Sequence, residues 1–179
     1  MRLPGWHADR VLLRPATAED APALSAALVE AINWDGQARF TGDQLLADPH
    51  LAHYVTGWPR PTDFGTVATD GRRGVDRLGD DAVLGVAWCR LFDTADPGYG
   101  YLADDVPEVT IGVVPARRGR GIGRALLAAL IEQARVRGHW AISLSVEDGN
   151  RARFLYERAG FKTVGLNGGS VTMRFQLSR

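Results

Sequence analysis

Apolar and polar positions change period several times along the chain, and each change marks an element. RVLLRPA (Arg10 to Ala16) reads as a strand stopped by Pro15, and Thr17 followed three residues on by Asp20 opens a helix over TAEDAPALSAALVEAIN. GDQLLADPHLAHYVTG predicts a second short helix broken near Pro49, and the Gly- and Pro-rich GWPRPTDFG is loop. TVATDG and AVLGVAWCRLF predict two antiparallel strands joined by the polar RRGVDRLGDD. Beyond the turn-rich DTADPGYGYLADDVP, EVTIGVV (Glu108 to Val114) alternates Val109, Ile111 and Val113 with Glu108, Thr110 and Gly112, so one face belongs to a core and the other is small or polar. Ile122, Leu126, Leu127, Leu130 and Ile131 recur at helical spacing between Ile122 and Arg137, and Gly138 ends that helix. AISLSV is a strand. NRARFLYERAGF is a helix capped by Asn150 and ended by Gly160, and KTVGL and SVTMRFQL are the closing strands. Neither a repeat, a low-complexity tract nor a linker interrupts this order, so one domain over residues 1–179 is expected.

Composition narrows the classes. The 179 residues are 45% hydrophobic, enough for a sizeable core, and 21 basic residues balance 21 acidic ones. A chain with no net charge has no global field for nucleic acid or an anionic membrane, so any anion site is local. Lys162 is the only lysine, and the arginine- and alanine-rich composition suits a GC-rich bacterial genome. The single Cys89 lies in an apolar run, where it reads as a small buried hydrophobe and suits a reducing cytoplasm. Neither a signal-peptide pattern nor a run of about eighteen apolar residues occurs, so a soluble cytoplasmic protein is expected. His7, His50, His53 and His139 are scattered and lack cysteine partners, so no metal is expected.

The stretch PARRGRGIGRALL (Pro115 to Leu127) places four arginines and three glycines where a strand gives way to a helix. Glycines 119, 121 and 123 remove side chains, so several backbone N–H groups can approach an anion, and the helix dipole adds about half a positive charge. Adjacent phosphates would use all these donors. A Walker loop would need Lys and Ser/Thr after its last glycine, where Arg124 and Ala125 stand. A dinucleotide-binding fingerprint belongs near the start of a parallel fold, whereas this loop follows a largely antiparallel meander.

VVPARRGRGIGRALL resembles the signature loop of the GCN5-related N-acetyltransferase (GNAT) superfamily, with Arg118, Gly121 and Gly123 at its defining positions. NRARFLYERAGF resembles the second motif of that superfamily, and the two motifs stand in the right order. The resemblance covers Glu108 to Phe161. It implies an α+β sandwich: a mostly antiparallel central sheet, splayed at the cofactor site, with helices on both faces. It also implies acetyl-coenzyme A as co-substrate, lying between the strand that ends at Val114 and AISLSV. Its pantetheine arm would pair along Ile111, Gly112 and Val113, and its pyrophosphate would meet Arg118, Gly119, Arg120, Gly121, Ile122, Gly123 and Arg124. Asn150 both caps its helix and, by the resemblance, contacts the pantetheine arm.

By the same resemblance Tyr156 lies beside the cofactor sulfur, where a phenol can protonate a departing thiolate. Its other reading is an amphipathic core tyrosine. An amine nucleophile must lose a proton before attack, and Glu108 is the candidate base; a solvated strand-start glutamate is its other reading. Relatives that acetylate ribosomal-protein amino termini carry a glutamate in the strand before the second motif, where this chain has Ser145, and Glu147 and Asp148 are expected in the exit turn. Trp34, Asp35, Phe40, Tyr54, Tyr99 and Tyr101 either line an amine pocket or cover the core.

The leading expectation is an N-acetyltransferase that moves an acetyl group to a primary amine of a small molecule or peptide by direct attack. A non-catalytic acyl-coenzyme-A sensor is the alternative. Nucleic-acid binding through Arg117, Arg118, Arg120, Arg124, Arg135 and Arg137 stands last, because those arginines do not share one helix face. Homodimers are frequent in the superfamily, but no residue pattern here specifies an interface.

Overall fold

A computed structural model of the chain describes residues 11–71 and 82–177. Its elements are β1 (Leu12–Pro15), a 3-10 turn (Ala18–Asp20) running into α1 (Ala21–Ile32), α2 (Gly42–Ala47), α3 (Pro49–Ala52), β2 (Phe64–Thr69), β3 (Val83–Arg90), β4 (Glu108–Val113), α4 (Ile122–Val136), β5 (Ala141–Glu147), α5 (Ala152–Ala159), β6 (Lys162–Asn167) and β7 (Ser170–Gln176). The start of α1 follows from its sequence: the Thr17 N–H donates to Asp20 Oδ2 (2.7 Å), and Arg14 holds the same carboxylate (2.7 Å). Asp48 caps α3 in a similar way, accepting from the His50 N–H (2.9 Å). Gly160, at φ 107°, ends α5.

Among the described residues seven strands form one mixed sheet in the order β1-β2-β3-β4-β5-β7-β6. Every neighbouring pair is antiparallel except β4 and β5, which run parallel and pair at a single position, Glu108 opposite Ser143. Beyond that position the two strands part. Helices α4 and α5 cover one face, with Leu126, Leu127, Leu130, Ile142, Leu144, Tyr156 and Met173 in its core. Helices α1 to α3 lie over the first half of the other face, around Leu24, Leu28, Val86 and Trp88. The seven-stranded sheet with helices on both faces is the α+β sandwich expected from the sequence.

Three local expectations change. Phe64 and Gly65, read as loop, open β2, because Phe64 pairs with Cys89 and its ring belongs to the core under α4. Glu147, expected in an exit turn, is the last residue of β5 and pairs with Ser170. The small or polar face of β4 is not solvent-facing: α1 lies on it, and Glu108 is 3% exposed. The polar connection expected between β2 and β3, along with Arg10 and His7, falls outside the described residues.

The segment between α3 and β2 is pinned by a buried ion pair. Arg90 donates to Asp63 (2.6 Å) and to the carbonyls of His53 (2.6 Å) and Thr56 (2.9 Å), so its charge is matched and its donors are used.

Candidate active site

The site begins where β4 leaves β5. The Val114 N–H donates to the Leu84 carbonyl (3.0 Å), and antiparallel alternation then turns the backbone groups of Gly112 and Thr110 toward β3. Those of Ile111 and Val113 point the other way, into the gap. The Ser143 N–H bond to the Pro107 carbonyl (3.0 Å) agrees with this phase. Two of the three residues expected to pair with an extended ligand therefore face the gap. Gly112 does not, which corrects its expected part in pairing. Its lack of a side chain serves packing instead: a Cβ there would run into the Ala27 carbonyl of α1.

The glycine loop stands at the open end of the gap. Gly119 (φ 73°) and Gly121 (φ 82°) are left-handed, and Gly121 is the N-cap of α4. A Cβ on either would meet nothing within 4 Å, so the backbone angle selects glycine, and the space before the loop is open. Gly123 differs: a Cβ there would touch Leu155 at 3.4 Å, so it sets the approach of α4 to α5. Ile122 is buried in the core, while Arg120 and Arg124 are exposed around the loop.

Arg118 has another task. Its Nε donates to the Val113 carbonyl (3.1 Å), and its terminal nitrogens donate to the carbonyls of Trp34 (3.1 Å) and Glu30 (3.0 Å) and to the Glu30 carboxylate (2.9 Å). A cation gathered on carbonyls at a helix C-terminus complements the helix dipole. Trp34 continues the chain of contacts, its Nε1 donating to Glu147 Oε2 (2.9 Å), and Arg39 bridges Glu147 (2.7 Å) and Asp35 (2.7 Å). Burial pulls the Glu147 carboxyl up, but the bonds from Arg39 and Trp34 outweigh it and leave it below its ordinary value. The segment from Trp34 to Arg39 thus links the diverging ends of β4 and β5.

At the root of the gap Glu108 lies buried. Its Oε1 accepts from the Tyr54 hydroxyl (2.8 Å), and that oxygen in turn accepts from the Tyr99 N–H (2.7 Å). Burial pushes the Glu108 carboxyl up to about 7, against the opposing bond from Tyr54 and the backbone of Gly100. Tyr156 sits on the inner face of α5 with its ring 5.9 Å from that of Phe161, and burial pushes its phenol up to about 12. Asn150 Oδ1 accepts from the Ala152 N–H (2.9 Å), so it caps α5 one residue ahead of the helix's own N-cap, Arg151. Of the aromatic residues expected at the mouth, Tyr54 is buried and Tyr99 is half exposed, their rings stacked 6.2 Å apart.

The Tyr54–Glu108 bond and the Trp34–Glu147 bond were not read from the sequence, since their partners are 54 and 113 residues apart. The one local signal was the spacing of Gly98 and Gly100 about Tyr99. A Cβ at Gly98 would collide with Glu108, and one at Gly100 with the β5 backbone at Leu144 and Ser145. Among the described residues no group of three or more His, Cys, Asp or Glu side chains could hold a metal ion, and no helix is long and apolar enough to cross a membrane.

Comparison with known proteins decides the family. The model of the acetyltransferase (GNAT) family matches residues 33–161. The chain belongs to that family. This GNAT chain, and with it an acyltransferase, is 30% identical over 160 residues to the streptothricin acetyltransferase of Streptomyces lavendulae, covering 86% of this chain and 81% of that one. It is 30% identical over 125 residues to the ribosomal protein bS18-alanine N-acetyltransferase of Haemophilus influenzae (68% and 75% covered). With the N-alpha-acetyltransferase RimI of Mycobacterium tuberculosis it shares 48% over 123 residues, and it spans 58% of that protein's length. Among solved structures, the ribosomal-protein-alanine N-acetyltransferase of Brucella melitensis superposes with a TM-score of 0.61 at 27% identity, over 93% of this chain and 99% of that one. The yncA protein of Salmonella typhimurium, solved with its cofactor acetyl-CoA, shares the fold (TM-score 0.60, 24% identity, 95% of both chains).

Proposed function

We propose that this chain transfers the acetyl group of acetyl-coenzyme A to a primary amine of a small molecule or peptide, by direct attack of the neutral amine on the thioester. One observation carries the reading: β4 and β5 separate after a single pair, beside a loop of left-handed glycines with open space before it. That space fits a pyrophosphate on the amides of Gly119 through Arg124, and the backbone groups of Ile111 and the N–H of Val113 suit an extended amide chain in the gap. The same inward N–H groups polarise the thioester carbonyl. Relatives that act on a ribosomal-protein alanine and on streptothricin support an acceptor of either size.

Two groups then move protons. Glu108, near 7, takes a proton from the amine, and Tyr156, protonated throughout the working range, donates to the departing thiolate. Ser145 stands on the half-buried face of β5 opposite Thr172, where it supplies no carboxylate. On this reading the base is Glu108 of β4.

Binding and turnover test the reading separately. Acetyl-coenzyme A at a hundred times its dissociation constant stabilises the fold by about 2.7 kcal/mol, and dephospho-coenzyme A protects less. An unmoved melting temperature together with no calorimetric heat rejects the pyrophosphate site. Coenzyme A release is then followed with a thiol reagent across a panel of primary amines, polyamines, amino acids and peptides. Protein that binds the cofactor yet transfers to no acceptor is a sensor. In Tyr156→Phe cofactor affinity holds while the transfer rate falls by about 10²- to 10⁴-fold; full activity removes Tyr156 as the acid.

A further inference from the structure

Three buried side-chain atoms lack a protein partner among the described residues: Glu108 Oε2, Ser143 Oγ and His53 Nε2. The first two belong to residues that face each other at the one β4–β5 pair, and so lie on the same face of the sheet. The other Glu108 oxygen is fully engaged, and the bonding that engages it has only one consistent direction. The Tyr99 N–H is always a donor, so it takes a lone pair of the Tyr54 oxygen. If Glu108 also donated to Tyr54, the buried Tyr54 hydroxyl hydrogen would be left unsatisfied. The Tyr54 hydroxyl therefore donates to Oε1, which must remain an acceptor in both charge states of Glu108.

We propose that Tyr54, fixed by the Tyr99 backbone, is a positioning residue that confines the exchangeable proton of Glu108 to Oε2, the oxygen that lies against Gly98 without a hydrogen-bond partner among the described residues. The inference rests on Glu108 being the base of the proposed reaction. In that step an N–H bond of the acceptor ammonium breaks, its electron pair stays on nitrogen, and an O–H bond forms at Oε2; ammonium and carboxylate become amine and carboxylic acid. An oxygen held in one role gives the proton one address.

The groups packed around Glu108 leave Tyr54 as the adjustable one. From β3, Arg90 stands opposite, but its guanidinium is matched by Asp63 and the carbonyls of His53 and Thr56. Cys89 beside it is buried, and its thiol is pushed well up. From the segment after α3, His53 pairs through Nδ1 with Asp96 (2.9 Å), and its ring packs edge-on against that of Tyr54. From the segment before β4 come Gly98, Tyr99 and the backbone of Gly100, and from β5 Ser143, which stands opposite Glu108.

Infrared difference titration of the full chain in deuterated buffer reads the proton directly, without an acceptor. The protonated-carboxyl band absent from Glu108→Gln belongs to Glu108, and its midpoint in the wild type is expected near 7. Tyr54→Phe keeps the ring and loses the hydroxyl, so the midpoint rises by about one pH unit, a tenfold gain in proton affinity. Site-specific 3-fluorotyrosine at position 54, a stronger donor, lowers it, and it serves if the phenylalanine variant fails to fold. Opposite shifts support the proposal, because loss of structure alone does not change sign with donor strength. A midpoint unmoved by either substitution, or moved the same way by both, overturns it. The base reading fails on its own terms if Glu108→Gln retains the wild-type acid limb of kcat/KM with the best amine of the panel, whatever the infrared midpoints do.

Discussion

At the scale of single residues, Glu108 shows how burial and hydrogen bonding set a proton affinity. Removal from water raises its carboxyl from 4.5 to about 7, while the Tyr54 hydroxyl and the Gly100 backbone restrain the rise. The unfolded chain has the lower value, so the folded state binds the proton more tightly. The associated stability is fully present below about pH 4.5 and is lost as pH rises through 7, about 3 kcal/mol in all. Glu108→Gln removes this dependence. Denaturant unfolding at pH 5 and pH 8.5 is expected to show a larger loss on the alkaline side for the wild type than for the variant. Equal losses would place Glu108 outside the pH response of the fold.

At the scale of elements, the loop before α4 holds two kinds of residue that serve different ends. Gly121 is left-handed with open space around it, so a branched side chain there strains the backbone and fills the approach to the helix N-terminus. Gly121→Val is expected to abolish acetyl-coenzyme A binding by calorimetry while far-ultraviolet circular dichroism is nearly unchanged. Retained affinity would make the loop a structural turn. Arg118 binds carbonyls of Glu30, Trp34 and Val113. Arg118→Ala should therefore weaken cofactor binding less than Gly121→Val does, and should speed amide hydrogen exchange between Asn33 and Thr41, where Trp34 and Arg39 meet Glu147.

At the scale of the whole molecule, the sheet is divided between two packing problems. Its first half is covered on both faces, and α1 reaches β4 only because Gly112 leaves room for Ala27. Gly112→Ala would push α1 outward, and with it the Trp34–Glu147 link across the gap. Thermal unfolding should show destabilisation of about 1–3 kcal/mol, as for other overpacked cores, with the loss carried by contacts of α1 rather than of α4. Exchange protection lost equally over both layers would mean that α1 is not the element displaced.

The sequence alone determined the order of elements from β4 to the end of α5, because a strand with period two, a glycine stop and a helix with its own cap are local events. It also determined the place of the glycine loop and the family it signals. Tertiary structure decided the rest. Whether Glu108 meets water or lies under α1 and the Gly98–Gly100 segment depends on helices that arrive from elsewhere in the chain. Glu147 is a strand residue held by Trp34 and Arg39 because chain folding brings together residues more than a hundred positions apart. Gly112 and Arg118 read as ligand contacts by the family resemblance, yet the backbone of one faces β3 and the side chain of the other faces the end of α1. Local chemistry names the residues able to bind or to move a proton; which neighbours they meet is a long-range property, set by how the sheet is covered.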